Sequence, residues 1–437
     1  MGIMIEANLA KKIGLASHQN ATPLIGSVAI ANDSEEELEN LTLLLIPSLP
    51  FANKKNWPID LIRKGSRIHI NDRDIDLKEG YLAELSENMR ASITLTLSSG
   101  ERILLEENFP IELLARNVWG GAGSMPELLA AFCMPNDPAV DSILKGASDV
   151  LRRAGKSDAI DGYNTKSRKR VWELCSALWT AISNIDISYA VPPASFEREG
   201  QKIRTPTQIL DSKVATCLDT ALLFAAALEQ AGLRPFIVMT EGHAFSGVWL
   251  QPQEFASIIM DDVSAIRKRI QLQELIVFET TLVTQSPRPG FSHAVDNATN
   301  QLTDENFILA LDLQRARMQR IRPLATTVHS EDARGAKGIC GHEGFEEAPN
   351  LQDDFPDDDS QPSGSVDRIK YWQRKLLDLT TRNRLLHVPE KAKVVRLICP
   401  DPGKLEDLLA DNKSLTIVPL PNLEAGGRDV QIYEQRN

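Results

Sequence analysis

One stretch constrains this chain more than any other: a long apolar run with a polar cap at its head. It opens Thr216-Cys217-Leu218-Asp219, continues Thr220-Ala221-Leu222-Leu223-Phe224-Ala225-Ala226-Ala227-Leu228, and reaches Gly232 shortly after. Thr216 followed three residues later by Asp219 is a capping-box spacing, with Asp in the acidic slot, and it predicts a helix that opens at Cys217. Gly232 suits a left-handed stop at the far end. Cys217 then falls on the first helical turn, where unpaired N–H groups and the positive end of the macrodipole favour a thiolate. It is a candidate nucleophile.

A nucleophile needs a base, and the base needs an orienting group. Downstream, Phe236–Thr240 reads as an apolar strand, Glu241-Gly242 as a turn, and His243–Leu250 as a second strand opened by histidine. Leu275–Leu282 reads as a third strand, with Glu279 its only ionisable interior residue. Packed against an antiparallel sheet, the helix would let Cys217, His243 and Glu279 converge. His293 is a rival base, but Ser292-His293-Ala294-Val295 reads as the start of a helix. Gln208, nine residues before Cys217, is a candidate oxyanion donor beside the local backbone N–H groups. The plain alternatives are a cysteine that is a small buried hydrophobe and a histidine that marks a strand boundary.

This order of elements resembles the transglutaminase-like superfamily, a branch of the papain-type cysteine enzymes. The resemblance rests on the cysteine at the helix start, on Ala231-Gly232-Leu233-Arg234-Pro235 closing that helix, on His243-Ala244-Phe245 and on Glu279-Thr280-Thr281. It spans roughly residues 125 to 325. It implies Cys217 as nucleophile, His243 as general base and acid, and Glu279 as orienter, acting on a protein or peptide substrate. The sequence departs from the family pattern at Ala215, where glycine is common, at Phe245, where tryptophan is common, and at Glu279, where aspartate is usual. A relative that keeps the fold without the chemistry is the alternative.

The rest of the chain bounds this reading. With 437 residues, two to four domains are expected, and the class is α+β multidomain. No run approaches the roughly eighteen apolar residues of a membrane span, and Met1–Ala16 lacks a signal-peptide core. Five scattered cysteines, with no CxxC, fit a reducing cytoplasm. There is no HExxH, and Cys340-Gly341-His342 is too small a cluster for a metal; neither metal nor cofactor is expected.

Residues 1–118 hold short runs with partial period-2 patterning: Leu24–Ile30, Leu41–Ile46, Arg67–Ile70, Ser92–Leu97 and Arg102–Leu105, the last two joined at Ser99-Gly100. They suggest an Ig-like β-sandwich without a Cys…Trp…Cys core. Residues 119–327 form the cysteine domain, with helices expected after a capping box at Ser124–Glu127, over Asp141–Arg153 and over Ser167–Ser183. Residues 328–365 read as a disordered acidic linker: eight of the seventeen residues from Glu343 to Asp359 are acidic and none is basic, against a whole-chain net charge of −12.

Residues 366–437 open a further α/β domain. Arg368–Leu386 is a basic amphipathic pattern, Lys393–Cys399 and Leu415–Leu420 read as strands, and Gly403–Ala410 as a helix. The Arg374–Leu386 signature resembles an uncharacterised domain near the front of very large bacterial superfamily-1 helicase-like proteins, some associated with defence against phage and other mobile DNA. That resemblance implies a helicase or NTPase module in cis or in trans. The chain itself carries no GxxxxGK[ST]. Residues 368–396 hold nine Lys or Arg against Asp378 and Glu390, a composition that fits a solvated face and also nucleic-acid contact. Two functions remain: a cysteine hydrolase or acyltransferase, or an inert transglutaminase-like scaffold that binds a partner or regulates a helicase module.

Overall fold

The structure, a computed structural model, describes residues 2–325 and 344–351, and the backbone of the strands Arg396–Ile398, Ile417–Pro419 and Ile432–Gln435. Its contacts divide the chain into two units, Met1–Gln361 and Pro362–Asn437. The fold is α+β.

The first unit begins with strands. β1 (Ile3–Leu9), β3 (Ile25–Asn32) and β6 (Ser66–His69) form one sheet in the order β1-β3-β6. β2 (Lys12–Ile13), β4 (Leu38–Pro47), β5 (Lys55–Ile62), β7 (Met89–Ser99) and β8 (Arg102–Leu113) form a second in the order β2-β8-β7-β4-β5. Alternation explains both: Leu41, Leu43 and Leu45 of β4 and Ile93, Leu95 and Leu97 of β7 are buried, in register across the sheet, and share one core with Ile5, Val28 and Ile30. β5 carries Pro58 and sits on an edge, where a missing N–H is tolerated. Helices α1 (Leu15–Gln19) and α2 (Glu79–Glu84) fill the connections.

The cysteine region is built around a five-stranded antiparallel sheet of β13 (Pro235–Thr240), β14 (His243–Trp249), β15 (Ile259–Met260), β16 (Leu275–Phe278) and β17 (Phe307–Asp312), in the order β15-β17-β13-β14-β16. Every residue of β13 is buried, because the sheet has a core on each face. Ile237 and Met239 join the main core; Phe236 and Val238 join a second one with Phe255, Val263 and Ile266.

Helices α3 (Pro138–Arg153), α4 (Arg168–Ser183) and α7 (Cys217–Gln230) pack with the main core, while α8 (Val263–Gln271) contributes to the second. Residues Cys217 to Leu228 of α7 are all buried. Trp179 of α4 stacks on Phe224 of α7 at 5.6 Å between centroids and meets Phe278 edge-on at 6.4 Å. Both tryptophans of α4, Trp172 and Trp179, are therefore packing residues, each burial contributing about 3 kcal/mol or less.

Short elements complete the region: β9 (Val118–Trp119), β10 (Ser188–Tyr189), α5 (Phe196–Glu199), β11 (Gln201–Lys202), α6 (Pro206–Ser212), β12 (Val214–Ala215), α9 (Phe291–Gln301) and α10 (Leu313–Met318). β9 pairs with β11, and Gly121 and Gly200, both at positive φ, let the two chains pass so closely that a Cβ on either would run into backbone of the other. Lys12 of β2 reaches the same crossing, its ammonium donating to Gly120 O at 3.2 Å and Glu199 O at 2.8 Å.

Three expectations change. The stretch after Ser124 is a 3₁₀ helix, Pro126–Phe132, with no side-chain cap; the Ser124 hydroxyl donates to Gly120 O at 2.9 Å instead. The third strand ends at Phe278, and Thr280–Thr284 is a 3₁₀ turn capped by the Glu279 side chain. Within the expected acidic linker, Gly344–Leu351 lies on the body of the first unit, with Leu351 buried and Phe345 and Ala348 packed against the core. The remainder of that linker, residues 368–395 with the expected basic amphipathic element, the expected helix Gly403–Ala410, and Cys340 and His342 lie outside the described residues. In the second unit, β18 (Arg396–Ile398), β19 (Ile417–Pro419) and β20 (Ile432–Gln435) form a sheet in the order β18-β20-β19.

Candidate active site

The cap at the head of α7 forms as the spacing requires. Thr216 Oγ1 accepts from Asp219 N at 3.2 Å and Asp219 Oδ2 accepts from Thr216 N at 2.9 Å. Asp219, wholly buried, is further satisfied by Arg204, through the backbone N–H at 2.8 Å and the guanidinium at 2.7 Å. Gln201 Nε2 donates to Thr216 Oγ1 at 3.0 Å, fixing the cap from the other side. Cys217 is thus placed at the first helical position by a rigid frame and is itself buried.

Two buried ties hold this helix against the sheet. The Ser246 hydroxyl of β14 donates to Ala221 O of α7 at 2.7 Å, and the Thr220 and Thr280 hydroxyls meet at 3.0 Å. One joins the cysteine helix to the histidine strand, the other to the segment that carries Glu279. Each polar group lies where an unmade bond would cost about 1–3 kcal/mol, so the register of the three elements is specified, not merely packed.

His243 and Glu279 then meet. β14 and β16 are antiparallel, with Ser246 opposite Phe278, so Glu279 leaves the ladder two residues short of the level of His243. A side chain of glutamate length spans the gap: His243 Nε2 lies 2.7 Å from Glu279 Oε2. Glu279 Oε2 also accepts from Gln301 Nε2 at 2.8 Å, and Oε1 accepts from the Thr281 N–H at 3.0 Å and hydroxyl at 2.7 Å. With Nε2 engaged by the carboxylate, Nδ1 is the ring nitrogen left for a thiol, and Cys217 lies near enough to the ring to influence its charge. The Tyr189 hydroxyl is a second electrostatic neighbour of Cys217. Tyr189 is brought there by the parallel pairing of β10 with β12, which sets it level with Ala215, two residues before the cysteine.

The electrostatics follow from these contacts. Burial works to strip the proton from His243, but hydrogen bonds to Cys217 and Glu279 and their charges outweigh it, raising its pKa from 6.5 to about 10. Burial works to raise Glu279; the hydrogen bond and charge of His243, with Thr281 and Gln301, bring it below its ordinary 4.5. Burial pushes the Tyr189 hydroxyl up to about 12, and the neighbouring Cys217 adds to the rise. These contacts favour the protonated imidazole and the ionised carboxylate, beside the sulfur.

The structure therefore brings Cys217, His243 and Glu279 together: the carboxylate bonds the ring, and the sulfur lies near it. Gln208 is spent elsewhere: its Oε1 accepts from Thr205 N at 3.0 Å in the capping box of α6, on an exposed surface. His293 is exposed on the first turn of α9, outside this group. Sequence reasoning missed Tyr189, Thr281 and Gln301. Thr281 was visible as part of Glu279-Thr280-Thr281; Tyr189 and Gln301 lie 28 and 84 residues from Cys217 along the chain, with no local pattern to mark them. Among the described residues, no group of three or more His, Cys, Asp or Glu is placed to hold a metal ion, and no helix is long and apolar enough to cross a membrane.

Residues 375–437 match a family model described as a protein of unknown function, DUF4011. No curated protein and no solved structure matches the chain.

Proposed function

We propose that the first unit is a transglutaminase-like cysteine hydrolase or acyltransferase of the peptidase type, with Cys217 as nucleophile, His243 as general base and acid, and Glu279 as orienter. One observation supports it above all: a histidine ring bonded to a fully satisfied carboxylate and lying near a cysteine on the first turn of a capped helix. In this reading the Cys217 proton already resides on His243, and the sulfur attacks an amide or thioester carbonyl. The free N–H groups at the head of α7 and the Tyr189 hydroxyl receive the oxyanion. The C–N or C–S bond breaks, His243 protonates the leaving group, and a thioester to Cys217 remains. Water or an amine, deprotonated by His243, resolves it.

The test is alkylation of the intact chain with iodoacetamide at mildly acidic pH, read peptide by peptide by mass spectrometry. Cys217 is expected to react well ahead of Cys133 and Cys175. A rate no faster than that of a simple thiol removes the enzyme reading.

A second reading is favoured by the complete burial of Cys217: a catalytically inert scaffold that binds a partner or regulates a helicase module. There Cys217→Ala leaves the biological phenotype intact. Under either reading we place the chain in a bacterial helicase-like protein, in the cytoplasm and in defence against mobile DNA. The match at residues 375–437 supports this placement only through the earlier resemblance of Arg374–Leu386.

A further inference from the structure

The segment Gly344–Leu351 makes more than apolar contacts. Glu346 N donates to the Ser176 hydroxyl of α4 at 2.8 Å, Glu347 pairs with Lys156 at 3.2 Å, and Asn350 O accepts from Gln273 Nε2 at 3.4 Å. The Glu346 carboxylate accepts from Ser292 N at 2.7 Å and from the Ser292 hydroxyl. Ser292 is the second residue of α9, whose N-cap, Gly290, has no side chain to offer. Glu346 supplies from afar the acceptor and the negative charge that the helix start lacks. Gly290 also makes room for it, since a Cβ there would run into Glu346 Oε1.

The turn that Glu346 caps is the turn that holds Glu279. Ala294 O, one residue pair beyond Ser292, accepts from Glu279 N at 2.9 Å, and the far end of the same helix supplies Gln301 to the Glu279 carboxylate at 2.8 Å. α9 therefore grips Glu279 by backbone and by side chain, and its own start is gripped by a segment that ends 24 residues before the matched region begins at residue 375. We infer that Gly344–Leu351 is a strap that sets Glu279 through α9, so that whatever pulls on the chain leading to residues 375–437 controls the cysteine site. This rests on the active-site reading above, and Glu346 is in it a positioning residue.

The experiment uses the full chain and the alkylation rate of Cys217 at pH 6, with a pH profile. Glu346→Ala is expected to slow Cys217 about fivefold, the effect of a lost helix cap, and to move the alkaline limb of the profile to lower pH, because His243 loses part of its carboxylate. Glu346→Gln keeps an acceptor for Ser292 N and is expected to restore most of the rate. Gln301→Ala cuts the same grip at its other end and is expected to act in the same direction. Should Glu346→Ala fail to fold, Ser176→Ala frees the strap backbone without touching α9 and carries the same expectation. A wild type with fast Cys217 whose rate and pH limb are unmoved by the strap variants, while Gln301→Ala slows it, overturns the strap alone. A wild type with slow Cys217 overturns the active-site reading beneath it.

Discussion

Helix α7 meets a sulfur at each end, and the two ends treat it in opposite ways. At its start, Cys217 lies near an imidazole that bonds Glu279 and whose pKa is raised. At its close, Glu229 lies 3.5 Å from Cys133 Sγ, so a carboxylate faces a buried thiol. Burial pushes the Cys133 thiol well above its ordinary 9.0, Glu229 adds to the rise, and Arg317 opposes it by less. Both sulfurs are equally hidden from solvent. Burial is therefore common to both sulfurs; what differs is the charged group beside each, and the helix dipole works in the same sense at each end. Around Cys133 the polar groups serve cohesion: Arg317 binds Glu229 at 2.8 and 3.0 Å and gathers Ala130 O, Cys133 O and Ile321 O.

The contrast can be broken most severely at the imidazole. His243→Ala is expected to slow Cys217 alkylation at pH 6 by about 10² to 10⁴, the span of a lost acid–base partner. Cys133 should stay silent throughout, and labelling of Cys217 at the wild-type rate would dissolve the distinction between the ends. At the other end, Glu229→Ala leaves Arg317 without its carboxylate. Because the pair is partly exposed, a loss of about 2 kcal/mol in urea-monitored stability is expected, below the figure for a fully buried pair. The same variant should leave the Cys217 rate unchanged; a parallel drop would show that the two ends are one network.

Glu279→Gln comes next in size. It keeps the shape and removes the charge, and the Cys217 rate should fall by about tenfold, the lower edge for a supporting carboxylate. A rate equal to wild type would leave His243 without need of its anion.

The smallest effect is in the pH dependence of stability. The raised His243 contributes fully below its ordinary 6.5 and loses that contribution as pH climbs through about 10. The lowered Glu279 contributes above 4.5 and loses it as pH falls further. Melting temperature should therefore sag on both flanks, and His243→Ala should flatten the alkaline one. An unaltered alkaline flank in that variant would argue against the ion pair.

Much of this was legible in the residues. Thr216 and Asp219 cap as their spacing demands because a capping box is local, closed within four residues. Strands β4 and β7 announce themselves by alternation. β5 did not, since Pro58 masks an edge strand, and Glu279 was placed inside a strand because nothing local shows that the ladder stops at Phe278. The ties Ser246–Ala221, Thr220–Thr280 and Gln301–Glu279 span 25, 60 and 22 residues, and each looks like an ordinary polar side chain until the fold closes. Gln208 misled for the converse reason: its own helix start was the nearer claimant.

The glycine crossing of β9 and β11 bears on how this molecule may be dissected. A cut between residues 118 and 119, the natural seam by composition, would tear Val118 from Trp119 within one strand and strip Lys12 from the loop that leads to Gln201 and the cysteine cap. A fragment begun there would start with the Cys217 helix cap unbuttressed, so shortened versions should keep the N-terminal strands attached.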